Sequence, residues 1–227
     1  MKIGLISDFL DYYDNHFENR YFSNFIWKRL STGGLSRLEI LKFLNYLGFN
    51  TPIFGTIGEV ADHIIVTELY NSKDEDIFFK FTEVVIYDDL QAHKGEGKKL
   101  LTLEKALETN PQSFCSVYMR SLIDGSRSNR YLQIGNRAWT LLYESPDWRS
   151  NVGDVKISVL DEMLKIPEWT KKIQEPLFAI DLVPVGSHYY AIDFNIAPQI
   201  KGTGLEEILK PEETAMLIKN ALINLKK

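Results

Sequence analysis

The sequence predicts an α+β protein built of mixed α/β layers, and three observations carry that reading. Two strand–turn–strand patterns stand in the second half: Tyr131–Ile134 with Arg137–Tyr143, and Leu177–Pro184 with His188–Pro198. A capped helix precedes them, opening at Ser36 and stopped by Gly48. Strands and helices interleave without strict βαβ alternation, which argues for α+β or mixed α/β layers. With 227 residues the chain can bury a substantial core, as one domain or as two small subdomains.

In order along the chain, Lys2–Ser7 reads as a buried first strand, followed by an acidic, aromatic stretch. Ser36 is a good N-cap, and Glu39 three residues on completes a capping box. Leu38, Leu41, Leu44 and Leu47 then recur at helical spacing. Asn50–Thr56 is an extended crossing. The stretch Glu59–Lys80 holds a strand candidate, Ile64–Leu69, and a polar turn. Glu83–Tyr87 reads as a strand, Asp88–Lys99 as a polar loop with glycines, Thr102–Glu108 as a helix and Phe114–Met119 as a strand. Gly135 and Asn136 supply the turn of the first hairpin. Ser145–Asp154 is a polar loop, and Ser158–Gln174 reads as a helix broken at Pro167. Thr203–Leu209 and Pro211–Leu225 read as helices, since proline is accepted at a first helical position. The apolar residues of the last helix (Ala215, Met216, Ile218, Ala221, Leu222, Leu225) are expected to pack on the chain's own sheet. A homodimer seam is the other reading of that face.

Composition narrows the function classes. The net charge is −5 and no Lys/Arg run tracks a phosphate backbone, so nucleic acid is not an expected partner. The single cysteine, Cys115, allows no intrachain disulfide and points to a reducing compartment; within Phe114–Met119 it reads as a packed small hydrophobe. The opening MKIGLISDF turns acidic after a very short apolar run, unlike a signal peptide. No stretch approaches the roughly 20 apolar residues that span a bilayer. The expectation is a soluble, cytoplasmic protein without a membrane partner.

The chemistry concentrates in three places. In the second hairpin, side chains alternate faces, so Asp193 and Asn195 point the same way. A turn near Gly186–Ser187 sets Asp181 roughly opposite Asp193. Buried carboxylates need a compensating cation or donor, and Mg²⁺ is a natural one, held by one or two carboxylates together with substrate phosphates. The competing reading is a pair of edge-strand acids facing solvent. The second place is Ala92–Leu101, AHKGEGKKLL, where Gly95 and Gly97 let backbone amides face an anion and Lys94, Lys98 and Lys99 add positive charge. A solvated hairpin reads the same way, and the spacing is not that of a Walker A motif. The third is Ser128–Asp154, where Arg130 opens a strand and Arg149 and Asn151 sit in the polar loop beside Trp148. Arginine's planar fork suits phosphate or carboxylate oxygens.

Taken in order, the Gly-rich loop, RYLQIGNRA, DWRSN, AIDL and AIDFNIAP resemble the ATP-grasp superfamily, especially its short ligase-type members. LEILKFLNYLGFNTPIFGT also resembles that family's entry to its nucleotide-binding part. The similarity runs roughly from Ser36 to Leu209 and is more specific in its C-terminal half. It implies two small α+β subdomains sandwiching a nucleotide: a reduced N-terminal segment over 1–35, an ATP-grasp-like domain over 36–227, a lid-like subdomain at about 80–120 and a metal-binding subdomain at about 125–227. It implies ATP and Mg²⁺ as cofactors, with Asp181, Asp193 and Asn195 as metal ligands. Arg130, Arg149 and Asn151 take the place of the catalytic, phosphate-contacting residues. His93, Lys94, Gly95, Gly97 and Lys98 resemble the loop that covers the phosphates, and Val117 and Tyr118 the segment that meets adenine. The implied activity joins a small-molecule carboxylate to an amine or similar nucleophile through an acylphosphate. A non-catalytic nucleotide-binding or protein-interaction module on the same fold is the alternative, and a metal-dependent phosphotransferase acting on a hydroxyl is a third. The sequence departs from the family in its VVIYDD strand, where a lysine is usual: Ile86 or Tyr87 takes that place, and Lys80, Lys94 and Lys98 are the candidate substitutes. It also has Asp193 where glutamate is common, and only about thirty-five residues before the fold.

Other residue types add less. His16, His63, His93 and His188 lack metal-ligand spacing. Asp8, Asp11, Asp14 and Glu18, among Tyr12, Tyr13 and Phe17, suit either an amine ligand or a plain surface turn. Ser7, Ser36 and Ser116 have no nucleophile-elbow context.

Overall fold

The computed structural model describes residues 36–71, 82–89, 97–173, 175–195 and 198–224. The strand expected at Lys2–Ser7, the acidic segment after it, and His93, Lys94 and Gly95 lie outside the described residues, as do Lys80 and Leu225.

Helix α1 (Arg37–Tyr46) opens with the expected capping box: Ser36 accepts from the Glu39 amide while the Glu39 carboxylate accepts from the Ser36 amide. Gly48, at φ 87°, supplies the left-handed residue that ends it. Strand β1 (Phe54–Thr56) leads into α2 (Ile57–Asn71), which overturns the strand expected at Ile64–Leu69. A second capping box decides this point, because Glu59 accepts from the Thr56 amide and Thr56 Oγ1 accepts from the Glu59 amide. The β-branched run Ile64–Thr67 is carried inside a helix whose Ile57, Val60, Ala61 and Ile64 face the core. Tertiary burial outweighs local strand preference there.

A four-stranded antiparallel sheet has the order β1–β4–β2–β3, with β2 at Glu83–Tyr87, β3 at Lys98–Thr102 and β4 at Phe114–Val117. Strand β3 replaces the end of the expected polar loop, pairing Lys98 with Tyr87 and Thr102 with Glu83. Thr102 caps α3 (Leu103–Thr109). Val84 and Ile86 pack on α2 and α3 with Cys115, whereas Val85 and Tyr87 face the other way. Cys115 is fully buried, and burial pushes its thiol up to about 12, so it packs as a small hydrophobe.

The larger antiparallel sheet has the order β7–β6–β5–β8–β9. Its strands are β5 (Ser126–Ile134), β6 (Arg137–Ser145), β7 (Lys156–Leu160), β8 (Leu177–Val185) and β9 (His188–Asn195). Gly135 turns between β5 and β6 at φ 60°, and a Cβ there would meet the Leu217 carbonyl oxygen at 2.7 Å. The helix expected at Ser158–Gln174 is absent: β7 and a 3₁₀ turn, Glu168–Lys172, take its place. Ile157 and Val159 alternate with Ser158 at period two, and pairing with β6 fixes that pattern as a strand.

Both faces of the larger sheet are covered. On one, Phe178, Ile180, Leu182, Tyr131 and Phe194 pack against Ile40 and Leu44 of α1 and against Leu47 just after it. On the other, Leu132, Ile134, Leu141, Leu177 and Ala179 pack against Leu205 of α4 (Leu205–Ile208), Leu209, and Ala215 and Ile218 of α5 (Pro211–Asn224). Met216, expected in that face, points outward at 60% exposure. The odd-numbered row of β8 passes from this core at Leu177 and Ala179 to Asp181 and Val183, which face a cleft. No helix among the described residues is long and apolar enough to cross a membrane.

Candidate functional site

The cleft lies between the two sheets. Val85, Tyr87, Lys98, Ser116 and Val117 form one wall, and Ser126, Asp181, Val183, Ile192 and Asp193 the other. Arg37 reaches it from α1, and Trp148–Asn151 close one end.

The acidic pair is placed by a β-bulge. From Val185↔His188 to Leu182↔Ala191 the β8–β9 hairpin keeps one register; it then shifts, so that Asp181 pairs with Asp193 and Ile192 is the extra residue. Without the shift, Asp181 would face Ile192 and Asp193 would sit on the opposite face. Each carboxylate then meets an arginine. Arg130, across the ladder from Asp181, makes a forked pair with it: Nε donates to Oδ1 at 2.7 Å and Nη2 to Oδ2 at 2.9 Å. Its third nitrogen donates to the Tyr143 hydroxyl at 3.2 Å. Burial opposes the charge of Arg130, but Asp181 outweighs it and the guanidinium pKa is raised. Arg37 Nη1 donates to Asp193 Oδ1 at 2.7 Å and to the carbonyl of the bulged Ile192 at 3.4 Å. Its guanidinium also lies 5.6 Å from the Tyr87 ring centroid, so one side chain touches both sheets.

The loop after β6 is tied down from several sides. Ser145 Oγ donates to the Val152 carbonyl at 2.5 Å and accepts from the Asp147 amide at 3.0 Å. Ser126 Oγ donates to the Asp147 carbonyl at 2.7 Å, and Tyr118 donates its hydroxyl proton to the Trp148 carbonyl at 3.0 Å. Arg149 forks onto Asp147, Nε to Oδ1 at 2.8 Å and Nη2 to Oδ2 at 3.0 Å. The hydrogen bonds from Arg149 hold the Asp147 carboxyl below the usual range.

The comparisons with known proteins agree with this geometry at the level of fold. No protein-family model matches the sequence, and no curated protein matches it. Solved structures do. The ATP-grasp ligase PsnB, complexed with a phosphomimetic variant of minimal precursor, Mg and ADP, superposes with a TM-score of 0.51 at 10% identity, covering 82% of this chain and 57% of that one. A Chryseobacterium gregarium RiPP-associated ATP-grasp ligase, in complex with ADP and a leader and core peptide, gives 0.50 at 17% identity, covering 81% and 58%. The chain has the ATP-grasp fold.

The chain spans less than two thirds of the length of those solved chains. Of the residues singled out in its sequence, Lys98, Val117, Tyr118, Arg149, Asn151, Asp181 and Asp193 all line the cleft. Arg130 stands behind Asp181 as its counter-ion. Asn195 lies on the same strand face as Asp193 and pairs with Ala179 in the ladder. The Val117 and Tyr118 amides are already donated to the Ile53 and Glu83 carbonyls, both at 2.8 Å. Gly97, at φ 61°, stands at the head of β3, where its carbonyl accepts from the Asp88 amide.

Arg37 and Tyr87 line the cleft, and Asp147 holds Arg149 there, although the sequence reading gave none of the three a role. Arg37 had a signal: it follows the N-cap directly, where the helix dipole disfavours a cation, so its partner had to lie elsewhere. Asp181, Asp193 and Asn195 are hard oxygen donors on one face of adjacent strands, the chemistry that Mg²⁺ takes. Both carboxylates already carry a guanidinium, and among the described residues no cluster of three His, Cys, Asp or Glu could hold a metal ion. The donors therefore fit a Mg²⁺ that arrives with phosphate oxygens, not a bare ion.

Proposed function

We propose that this chain binds ATP with Mg²⁺ between its two sheets and supports an ATP-dependent ligation of a carboxylate to an amine or similar nucleophile. The observation that carries the reading is the cleft itself: cations at Arg37, Lys98 and Arg149 surround an acidic pair, next to a less polar wall of Val85, Val117 and Val183. That wall would take the nucleoside, and the cations the phosphates. Asp181, Asp193 and Asn195 would hold Mg²⁺, which when bound neutralises phosphate charge and polarises the phosphoryl group. Arg149, fixed by Asp147, is held ready to offset charge that develops during phosphoryl transfer. The Trp148–Asn151 loop, pinned to β5 through Ser126 and Ser128, would orient a substrate carboxylate at that end of the cleft.

The precursor and leader peptides held by the two neighbours make a peptide carboxylate the first substrate to try. On this reading a lid-like subdomain at about 80–120 would include β2, β3 and β4 but not β1 of the smaller sheet, and a metal-binding subdomain at about 125–227 would carry the larger sheet. The test is thermal unfolding with Mg²⁺ and ATP or ADP, on the wild type and on the Asp193→Ala/Asn195→Ala variant, followed by ADP release with candidate peptides. A Mg²⁺-dependent rise in midpoint, lost in the variant, is expected, because a ligand of the native state stabilises it. Binding without ADP release under any acceptor would favour the non-catalytic module, and no shift with any nucleotide would reject the reading.

A further inference from the structure

We propose that Tyr118 is a positioning residue of this cleft: reaching across from the smaller sheet, its hydroxyl and ring set the Trp148–Arg149 peptide and so aim Arg149. The assignment rests on the nucleotide reading above, in which Arg149 meets the phosphates, and names the contact that ties that arginine to the opposite wall.

The loop after β6 is anchored from two sides. Asp147 and Ser150 are tied within the larger sheet: Ser126 Oγ donates to the Asp147 carbonyl, and Ser128 Oγ donates to Ser150 Oγ at 2.7 Å. Trp148, between them, is held from across the cleft. Tyr118, directly after β4, donates its hydroxyl proton to the Trp148 carbonyl at 3.0 Å. The two rings also meet edge to face, with centroids 5.8 Å apart and planes at 83°. The Arg149 guanidinium in turn lies 5.3 Å from the Trp148 ring centroid. Tyr118 therefore supports both the peptide that leads into Arg149 and the ring on which that arginine rests.

The tyrosine is itself fixed. Its amide donates to the Glu83 carbonyl at 2.8 Å. The Arg120 guanidinium lies 5.5 Å from the Tyr118 ring centroid and is paired with the Glu83 carboxylate. Arg120, Tyr118, Trp148 and Arg149 thus alternate cation and ring in a row that starts against β2 and ends in the cleft. Burial raises the pKa of the Tyr118 hydroxyl, so it keeps its proton through the neutral range and serves as a donor. Asp147 orients the guanidinium fork within its own loop, whereas Tyr118 sets where that loop stands relative to the smaller sheet. A cation stabilises transferring charge best when its support is in place beforehand, and a small misplacement is costly.

The experiment is calorimetric titration of the whole chain with Mg-ATP, tripolyphosphate and adenosine, on wild type, Tyr118→Phe, Arg149→Met and the double variant. Tyr118→Phe keeps the ring and removes only the hydroxyl. Tyr131→Phe is the control, since it removes a hydroxyl that donates to Gln133 Oε1 at 2.9 Å, outside the cleft. Tyr118→Phe is expected to lose about three- to tenfold in affinity for Mg-ATP and tripolyphosphate, the scale of one hydrogen bond, with adenosine binding unchanged. In the Arg149→Met background the same change should cost nothing further, and Tyr131→Phe should match the wild type. Additive losses in the double variant would overturn the assignment, because Tyr118 would then act on the ligand without Arg149. Wild-type affinities in Tyr118→Phe, or a parallel loss in Tyr131→Phe or of adenosine binding, would overturn it too and leave the nucleotide reading standing. Failure of the wild type to bind Mg-ATP or tripolyphosphate would overturn both.

Discussion

Arg37 and Asp193 lie 156 residues apart in sequence and meet at 2.7 Å, one at the start of α1 and the other beside the bulge of β9. The arginine is almost fully buried, and its guanidinium also rests on Tyr87 of the smaller sheet. This one side chain joins a helix N-terminus, the acidic hairpin and the opposite wall of the cleft. Asp193, a residue proposed for metal binding, is thereby neutralised before any ligand arrives.

Replacing Arg37 with Met should destabilise the fold by about 1–3 kcal/mol, less than for a fully buried pair because Asp193 stays partly exposed. It should also leave Asp193 with an uncompensated charge. Mg²⁺ alone, without nucleotide, is then expected to raise the unfolding midpoint of Arg37→Met more than that of the wild type. Equal Mg²⁺ responses would show that Arg37 does not hold the acid in check.

The Arg130–Asp181 pair should behave as a unit. Both side chains are largely buried and joined by two hydrogen bonds. Asp181→Asn is expected to cost about 2–4 kcal/mol in chemical denaturation, since it strands a buried guanidinium. The double change Arg130→Met/Asp181→Leu should recover part of that loss. Additive single and double effects would deny the coupling.

Lys98 makes a pH prediction. A lysine in the unfolded chain titrates near ~10.4, and in the folded protein Lys98 is pushed down to about 8 by burial and by Arg37. Between those values the unfolded chain binds the proton and the folded one does not, so stability rises with pH across that window. Below about pH 8 the cost of burying the ammonium is fully present. Lys98→Met should therefore be more stable than the wild type at pH 7, with the gap in melting midpoint narrowing towards pH 10. A gap that stays flat from pH 7 to pH 10 would contradict the burial of this amine.

Asp147 makes the opposite one. Its carboxyl is held below the usual range by hydrogen bonds from Arg149. The stability it contributes is present above the ordinary aspartate value of ~3.9 and is lost as pH falls through the lowered folded value. Asp147→Asn should remove that acid-side dependence in denaturation midpoints between pH 2 and pH 5. At pH 7 the substitution should cost about 1 kcal/mol, because the pair is partly exposed and screened by solvent.

Much of the frame was legible residue by residue. The Ser36–Glu39 capping box, the Gly135–Asn136 turn and the Gly186–Ser187 hairpin are local chemistry, and each stands where its residues said. The failures share one cause. Ile64–Leu69 looked like a strand, and Ser158–Gln174 like a helix, because short apolar runs carry little period information of their own. The Thr56–Glu59 cap and the pairing of β7 with β6 decided them.

The sequence alone determined the class of layers, the two hairpins and several of the charged residues of the cleft, though not Arg37 or Asp147, because caps, turns and alternation act over a few residues. Tertiary structure decided which of those charges meet. The bulge at Ile192 turned Asp193 to the face of Asp181, Arg37 reached it from a distant helix, and strand pairing set Lys98 across from Tyr87. A one-residue change of register reverses a strand's faces, and ion pairs across more than a hundred residues leave no periodic trace. Those relationships arise only when the chain packs.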